Sequence, residues 1–230
     1  YFFETYMSNN GLIITHLDYN NIEHRKAVTN LHTKLLPDSY LSMLGYEFLV
    51  DYYYNLLVKS EIINCILCLS NNKYVGFVVY TKFPFSFMSI GFQKYFLKFL
   101  TFFIKKIFSK PKIIILLIKI IKESIKRKFS KKLTNSESEL LSIGVLTEHY
   151  REIAKRNKFD SNEKDLSKDT QASHLLIDNV IIKCKNDGIK DMRVIIKNKN
   201  IKSLNFFKSV GGKIVNDKFS KDSVELMLYF

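Results

Sequence analysis

Residues 200–212 read NIKSLNFFKSVGG, and this stretch decides the fold. It predicts a helix over residues 200–210, which Gly211 and Gly212 close, because glycine freely adopts the backbone conformation in which many helices end. The segments around it are expected to form, in chain order, a strand at 139–145, a helix at 170–186, a strand at 192–196 and two strands at 213–215 and 223–229. The second half of the chain therefore alternates strands with helices, as mixed α/β domains do.

The first half of the chain adds strands and helices of its own. Apolar side chains recur at helical spacing in residues 44–59, which predicts an amphipathic helix there. Two β-rich runs, 62–69 and 74–80, flank the turn signal Ser-Asn-Asn-Lys and predict a hairpin. With a strand at 12–16 and a helical region at 17–36, the predicted order is β-α-α-β-β-insert-β-α-β-α-β-β, a single mixed α/β domain.

The order of the elements and two segments resemble the GNAT acetyltransferase family. Residues 200–212 are similar to the family signature N-x-x-A-x-x-F-Y-x-x-x-G-F, with Ser203, Phe207 and Gly212 at the places of Ala, Tyr and the final Phe. A second likeness is ELLSIGV at 139–145, followed shortly by HYR where the family has E-Y-R. The resemblance implies a mixed, mostly antiparallel sheet. It also implies transfer of an acetyl group from acetyl-CoA to an amine by direct attack.

The resemblance further implies where acetyl-CoA binds. In the family, Q/R-x-x-G-x-G/A opens a helix whose free backbone N–H groups hold the pyrophosphate of CoA. The best match is KDTQASH at 168–174, in which Gln171 and Ser173 replace the glycines and Lys168 replaces Gln or Arg. The implied cofactor-binding residues are Ile143, Gly144 and Val145 on the strand, Lys168, Thr170, Gln171, Ala172, Ser173 and His174 on the loop, and Asn200, Phe206 and Phe207 on the last helix.

An amine acceptor must lose a proton before or during attack, so a carboxylate or a histidine near the strand at 139–145 is the expected general base. Glu139 lies at the start of that strand and is the favoured candidate, although an ordinary solvent-facing acid would give the same pattern. His149 lies just beyond the strand's end and is the second candidate. Phe207 stands where many GNAT members have a tyrosine that protonates the leaving thiolate, and phenylalanine has no proton to give.

The positive charge of the chain is concentrated in one segment. Residues 86–132 hold thirteen Lys or Arg and one acidic residue, Glu123, so they carry +12 of the net charge of +14. This distribution argues against a nucleic-acid partner, because the rest of the domain has no basic patch. Two Phe-, Ile- and Lys-rich helices are expected at 92–108 and 112–128. They either lie in an anionic membrane surface or bury their apolar faces on the acceptor cleft, the domain or a second subunit of a homodimer.

The sequence predicts one domain at 7–230, with a helical insert at about 86–130 and an extended loop at about 152–169. Met7 is the expected native start, after six added residues. Three cysteines and no secretory signal indicate a cytoplasmic protein, with peripheral membrane contact through the insert. Cys65 and Cys68 should face opposite sides of a strand, and the five histidines lack metal-binding spacing, so no metal is expected.

The acceptor class follows from the resemblance only in outline. An amino sugar, a small amine and a protein amine all fit the predicted chemistry. The alternative function is a catalytically weak or silent domain of this fold that docks on a membrane surface or a protein partner, which the two replaced glycines and Phe207 would favour. The intact Asn200 segment favours the enzyme.

Overall fold

The computed structural model describes the backbone of residues 6–7, 11–109, 115, 118, 122, 136–146, 164–220 and 222–230. One sheet of eight strands runs through the described part of the chain, in the order β1-β2-β3-β4-β5-β6-β8-β7. The strands are β1 (Tyr6–Met7), β2 (Leu12–His16), β3 (Asn64–Ser70), β4 (Lys73–Thr81), β5 (Glu139–Val145), β6 (Asp191–Lys197), β7 (Lys213–Ser220) and β8 (Ser223–Tyr229). Neighbouring strands are antiparallel except β5 and β6, which are parallel. The predicted mixed, mostly antiparallel sheet is confirmed.

Seven helical segments have bounds that the described residues define. They are α1 (Ile22–Leu35), α2 (Tyr40–Leu44), the π-helix π1 (Phe48–Leu57), α3 (Phe87–Lys94), α4 (Phe96–Ser109), α5 (Lys164–Asn186) and α6 (Ile201–Ser209). The helix predicted at 44–59 begins at Tyr46, because Gly45 ends α2 with a φ of 103°, and it continues through π1 to Lys59. The helix predicted at 92–108 is two helices that meet at Tyr95. Of the helix predicted at 112–128, residues 115, 118 and 122 are described, and they are helical.

The hairpin between β3 and β4 forms at the predicted turn. Asn71 and Asn72 both have positive φ, 49° and 59°, as the two central residues of a type I′ turn require. Asparagine tolerates this conformation better than other residues with a side chain. The turn's own twist matches that of the strands, so it fixes their register.

Each face of the sheet carries its own apolar core. Along β3 the side chains alternate, so Cys65 and Leu67 pack in one core while Ile66 and Cys68 pack in the other, as predicted for the two cysteines. The core beneath α5 and α6 includes Leu176, Val180, Val194, Phe207 and Leu226. The core beneath α1, π1 and the insert includes Val28, Tyr53, Phe77, Phe87 and Phe103.

The insert joins this second core through one face of α4. The rings of Phe99, Phe102 and Phe103 lie around Phe48 of π1, with centroid distances of 6.4, 5.3 and 6.0 Å. Phe103 is 3% exposed, whereas Leu97 in the same helix is 74% exposed. Among the described helices, none combines the length and apolarity needed to cross a bilayer.

The packing of α4 predicts unequal effects for two truncations within it. Phe103→Ala should lower the free energy of unfolding by about 3–5 kcal/mol, because it leaves a cavity beside Phe48. Leu97→Ala should change it by less than about 0.5 kcal/mol, since Leu97 has little packing to lose. Urea denaturation measures both values. Equal costs for the two variants would show that α4 does not dock on π1 as described.

Candidate active site

Strands β5 and β6 are paired at one end and separate at the other. Their parallel pairing comprises Glu139 with Arg193 and Leu140 with Val194. On its other side, β5 pairs with β4 with a shift in register that leaves Leu141 as an extra residue. Such a bulge bends the strand that carries it. The result is a split in the middle of the sheet that opens after Leu140.

A cleft of about 680 Å³ occupies this split. Its floor is formed by the diverging parts of β5 and β6, and Asn200, Ser203 and Phe207 of the α6 segment line one side. The loop between α1 and α2 lines the other side and includes Asp38. Phe87 and Met88, at the start of α3, also belong to the wall, so the insert shapes the cleft.

The open edge of β5 presents backbone groups to the split. Leu146 donates its N–H to Val75 O of β4 at 2.7 Å. Backbone groups of successive residues in a strand point to alternate sides, so Ile143 and Val145 direct their N–H and C=O groups away from β4, toward the split. A Cβ atom on Gly144 would lie 2.8 Å from Leu35 of α1, so this glycine permits the close packing of α1 on β5.

The α6 segment holds its predicted residues in two places. Asn200 caps α6 by accepting a hydrogen bond from Ser203 N–H on its Oδ1 at 3.2 Å, and it lines the cleft. Phe207 is 2% exposed and also lines the cleft. Phe206 instead meets His174 of α5, with ring centroids 5.2 Å apart. Asn200 and Phe207 thus share the cleft with β5, whereas Phe206 and His174 join α5 to α6.

The predicted pyrophosphate loop lies inside a helix. Helix α5 begins at Lys164, six residues before the predicted start at Thr170, so residues 168–174 belong to its second and third turns. Backbone N–H groups are free of helical partners only in the first four residues of a helix. Ala172 is fully buried against the sheet, and Gln171, Ser173 and His174 are half-buried. His149 lies outside the described residues.

Glu139 is buried beneath the sheet surface and does not line the cleft. It is 1% exposed and lies beside Arg193, whose Nε is 4.0 Å from Glu139 Oε2 and 3.2 Å from Glu225 Oε1. The Arg193 guanidinium also lies over the Phe85 ring, 4.6 Å from its centroid. Glu139 is thus enclosed with the Arg193 guanidinium and is not among the described residues that line the cleft. The location of Glu139 therefore does not fit the general base predicted from the sequence.

Asp38 is the carboxylate among the described lining residues of the cleft. It is exposed and follows Pro37 in the loop that ends α1. At this position the sequence predicted only that the helical region at 17–36 ends. Asp38 reaches the cleft because the end of α1 lies beside β5, which is distant in the sequence. Such a contact produces no local sequence pattern, so the sequence did not indicate Asp38 as a site residue.

A chain of hydrogen bonds fixes the loop that carries Asp38. Ser42 Oγ–H donates to Leu36 O at 2.7 Å, so Ser42 Oγ accepts from Ser39 Oγ–H at 2.9 Å. With its proton used, Ser39 Oγ accepts from His32 Nε2–H at 3.2 Å, and His32 Nδ1 accepts from Tyr54 O–H at 2.6 Å. The neutral imidazole of His32 is therefore one link in a one-way chain from π1 to the wall of the cleft.

The three cysteines cannot act as ready nucleophiles. All three are buried and free. Burial raises the pKa of Cys68 to about 12 and that of Cys184 to about 11, and it raises the pKa of Cys65 as well. Only a thiolate attacks an acyl group readily. Among the described residues, no three His, Cys, Asp or Glu side chains lie together as metal ligands would.

No protein-family model and no curated protein sequence matches the chain. Among solved structures, it is similar to an aminoglycoside 6'-acetyltransferase type Ii, with a TM-score of 0.51 and 11% identity over 94% of this chain and 96% of that chain. It is also similar to a probable acetyltransferase from Staphylococcus epidermidis, with a TM-score of 0.50 and 13% identity over 95% of this chain and 98% of that chain. The chain has the fold of the GNAT acetyltransferases, as the sequence predicted.

The buried His32 predicts a specific loss of stability in acid. Burial lowers the pKa of His32 from 6.5 to about 4, so the unfolded chain takes up a proton between these values that the folded protein does not. The free energy of unfolding should therefore fall as the pH drops from 6.5 to 4, by about 3 kcal/mol from this residue. Urea denaturation across this range measures the fall.

Two variants separate this effect from the titration of other groups. His32→Gln should have a flatter pH profile than the wild type between pH 6.5 and 4. Ser39→Ala, which keeps the buried imidazole, should lose about 1 kcal/mol at every pH and retain the wild-type slope. Parallel profiles for His32→Gln and the wild type would contradict the prediction.

Proposed function

We propose that this chain, which has the fold of the GNAT acetyltransferases, transfers an acetyl group from acetyl-CoA to an amine. The observation that carries the proposal is the cleft in the split between β5 and β6, which Asn200 and Phe207 line. The cleft joins an open strand edge, suited to an extended amide-bearing arm, to a side that carries Asp38. It is thus suited to an acyl donor on one side and a cationic acceptor on the other.

The donor would lie along the open edge of β5. The pantetheine arm of CoA carries amide groups, and the backbone groups of Ile143 and Val145 point toward the split where such an arm would run. The free N–H groups of the first turn of α5, at the positive end of this helix, would attract the pyrophosphate. The turns that follow carry Lys168, Thr170, Gln171, Ala172, Ser173 and His174. Asn200 and Phe207 would flank the thioester, and Phe206 would lie close to CoA.

The acceptor would enter beside the loop between α1 and α2. An alkyl ammonium group has a pKa of about 10 and must lose a proton before its nitrogen can attack. Asp38 is exposed in the wall of the cleft, where its carboxylate can attract the ammonium and receive that proton. We assign the general base to Asp38, because Glu139 is enclosed with Arg193.

The leaving thiolate needs no protein acid in this scheme. A thiol of pKa ~8.5 leaves as an anion near neutral pH at modest cost, and Phe207 has no proton to donate. The cysteines are protonated by burial, which supports direct attack of the amine on the thioester without an acyl-enzyme. The first acceptors to assay are amino sugars, since one structural neighbour is named for an aminoglycoside, followed by small amines and peptide amines.

Titration calorimetry with acetyl-CoA tests donor binding. Lys168→Ala should weaken binding about fivefold, because one charge-assisted contact to a phosphate contributes about 1 kcal/mol. Lys185→Ala, at the far end of the same helix, should bind as the wild type does. If the wild type does not bind acetyl-CoA at millimolar concentration, the enzymatic proposal fails and the domain serves only as a binding module.

Two isosteric variants then distinguish the structural assignment of the base from the assignment made on sequence. Asp38→Asn should lower kcat/KM by about 10²-fold while leaving the free energy of unfolding unchanged, since Asp38 is exposed. Glu139→Gln should lower the free energy of unfolding by about 3 kcal/mol, because it disturbs a buried ion cluster, and leave kcat/KM of the folded protein close to the wild type. Steady-state kinetics and urea denaturation give both pairs of values. The reverse pattern would restore Glu139 as the base.

A further inference from the structure

The outward face of α4 is apolar and exposed. Phe96, Leu97, Leu100 and Ile104 are 45%, 74%, 41% and 45% exposed, and we call these four residues the α4 patch. Leu97, Leu100 and Ile104 follow at intervals of three and four, so they lie on one side of the helix. Phe92 of α3 extends the patch, with its ring 5.1 Å from that of Phe96.

The fold of the domain does not account for this face. The opposite side of α4 already packs on π1 through Phe99, Phe102 and Phe103. A helix on the surface of a globular domain normally exposes polar side chains on its outer face. Contiguous exposed apolar side chains mark a surface that something else covers. The α4 patch is therefore an interaction surface, and its surroundings indicate the partner.

All charged residues of α3 and α4 are positive. No acidic residue occurs between Glu61 and Glu123, a stretch that includes the whole of α3 and α4. Lys94 and Lys98 are exposed beside the patch. Farther along the insert, Ile115 and Ile118 are exposed on helical turns, as is Lys122. The charged residues that the insert places around the patch, up to Lys122, are thus all positive.

We propose that the α4 patch docks this protein on an anionic lipid surface. Apolar side chains of a helix lying in the interface enter the boundary between headgroups and acyl chains, while flanking lysines reach up to the lipid phosphates and carboxylates. The exposed aliphatic side chains that would enter the lipid are Leu97, Leu100 and Ile104. The lysines that would reach the headgroups are Lys94 and Lys98.

Charge separates this partner from the competing ones. A symmetric dimer through the α4 patch would bring Lys98 of one copy near the lysines of the other, with no acid on either insert before Glu123 to compensate. Nucleic acid would satisfy the lysines but would leave the aliphatic side chains of Leu97, Leu100 and Ile104 without apolar partners. An anionic lipid surface satisfies both the charged and the apolar side chains.

This inference does not depend on acetyl transfer, so its test needs no substrate. The protein is mixed with vesicles of phosphatidylcholine, or of phosphatidylcholine with about 30% phosphatidylserine, and floated on a density gradient at 50 mM salt. Binding to the anionic vesicles is expected, with little to the neutral ones. At 500 mM salt binding should weaken more than tenfold, because salt screens the lysine contribution.

Variants divide the apolar contribution from the charge. Leu97→Ser with Leu100→Ser should lower the partition constant at least tenfold, because two aliphatic side chains no longer enter the lipid. Lys98→Gln should lower it about fivefold. The matched control is Ile182→Ser with Ile214→Ser, two residues that are 50% and 43% exposed outside the insert, and it should bind as the wild type does. Thermal unfolding checks that every variant is folded.

Each other outcome overturns the proposal. No binding to anionic vesicles at 50 mM salt, or binding that Leu97→Ser with Leu100→Ser does not weaken, rejects lipid docking by the α4 patch. If light scattering shows a dimer that this double variant converts to a monomer, with no vesicle binding by the wild type, the patch is an interface between copies of the chain. If the protein binds a nucleic-acid oligomer but does not bind the vesicles, the lysines belong to a nucleic-acid site instead.

Discussion

The short pairing between β5 and β6 is the constraint on which the rest of the structure depends. Two residue pairs join these parallel strands before the bulge at Leu141 bends β5 away. If the pairing continued, the backbone groups of Ile143 and Val145 would be used within the sheet. The cleft would close, and Asn200 and Asp38 would have no space between them. The helices α1, α5 and α6 then hold the two diverging strands from both faces of the sheet.

A buried ion cluster holds the closed end of this split. Arg193 of β6 is fully buried between Glu139 of β5 and Glu225 of β8, and Phe85 covers its guanidinium. Removing a charge from water costs several kcal/mol unless its partners are close, so the cluster is stable only when the three strands are adjacent. It therefore favours one strand order over others. Because Phe85 lies in the link from β4 to α3, the cluster also fixes where the insert leaves the sheet.

The sequence predicted what depends on neighbours in the chain and missed what depends on distant ones. The bounds of β5 and the turn at Asn71 were predicted correctly, and the start of α6 was predicted to within one residue, since each rests on local periodicity or capping. Strand alternation could not show that Glu139 is buried, because its partner Arg193 lies more than fifty residues away. Asp38 was missed for the same reason: its place in the cleft comes from the packing of α1 on β5.

The sequence predicted that the insert forms apolar, lysine-rich helices, but it did not show what covers their apolar sides. Helix α4 has one apolar side around Phe103 and a second around Leu97, and the domain covers only the first of them, at Phe48. The same insert places Phe87 and Met88 in the wall of the cleft. Whatever covers the outer face of α4 is therefore connected, through two short helices, to the place where an acceptor would enter. Because the packed helices transmit position better than a loop would, a docking surface on α4 would also orient the opening of the cleft. If both proposals hold, the insert would link the surface on which the protein docks to the acceptors that can reach Asp38.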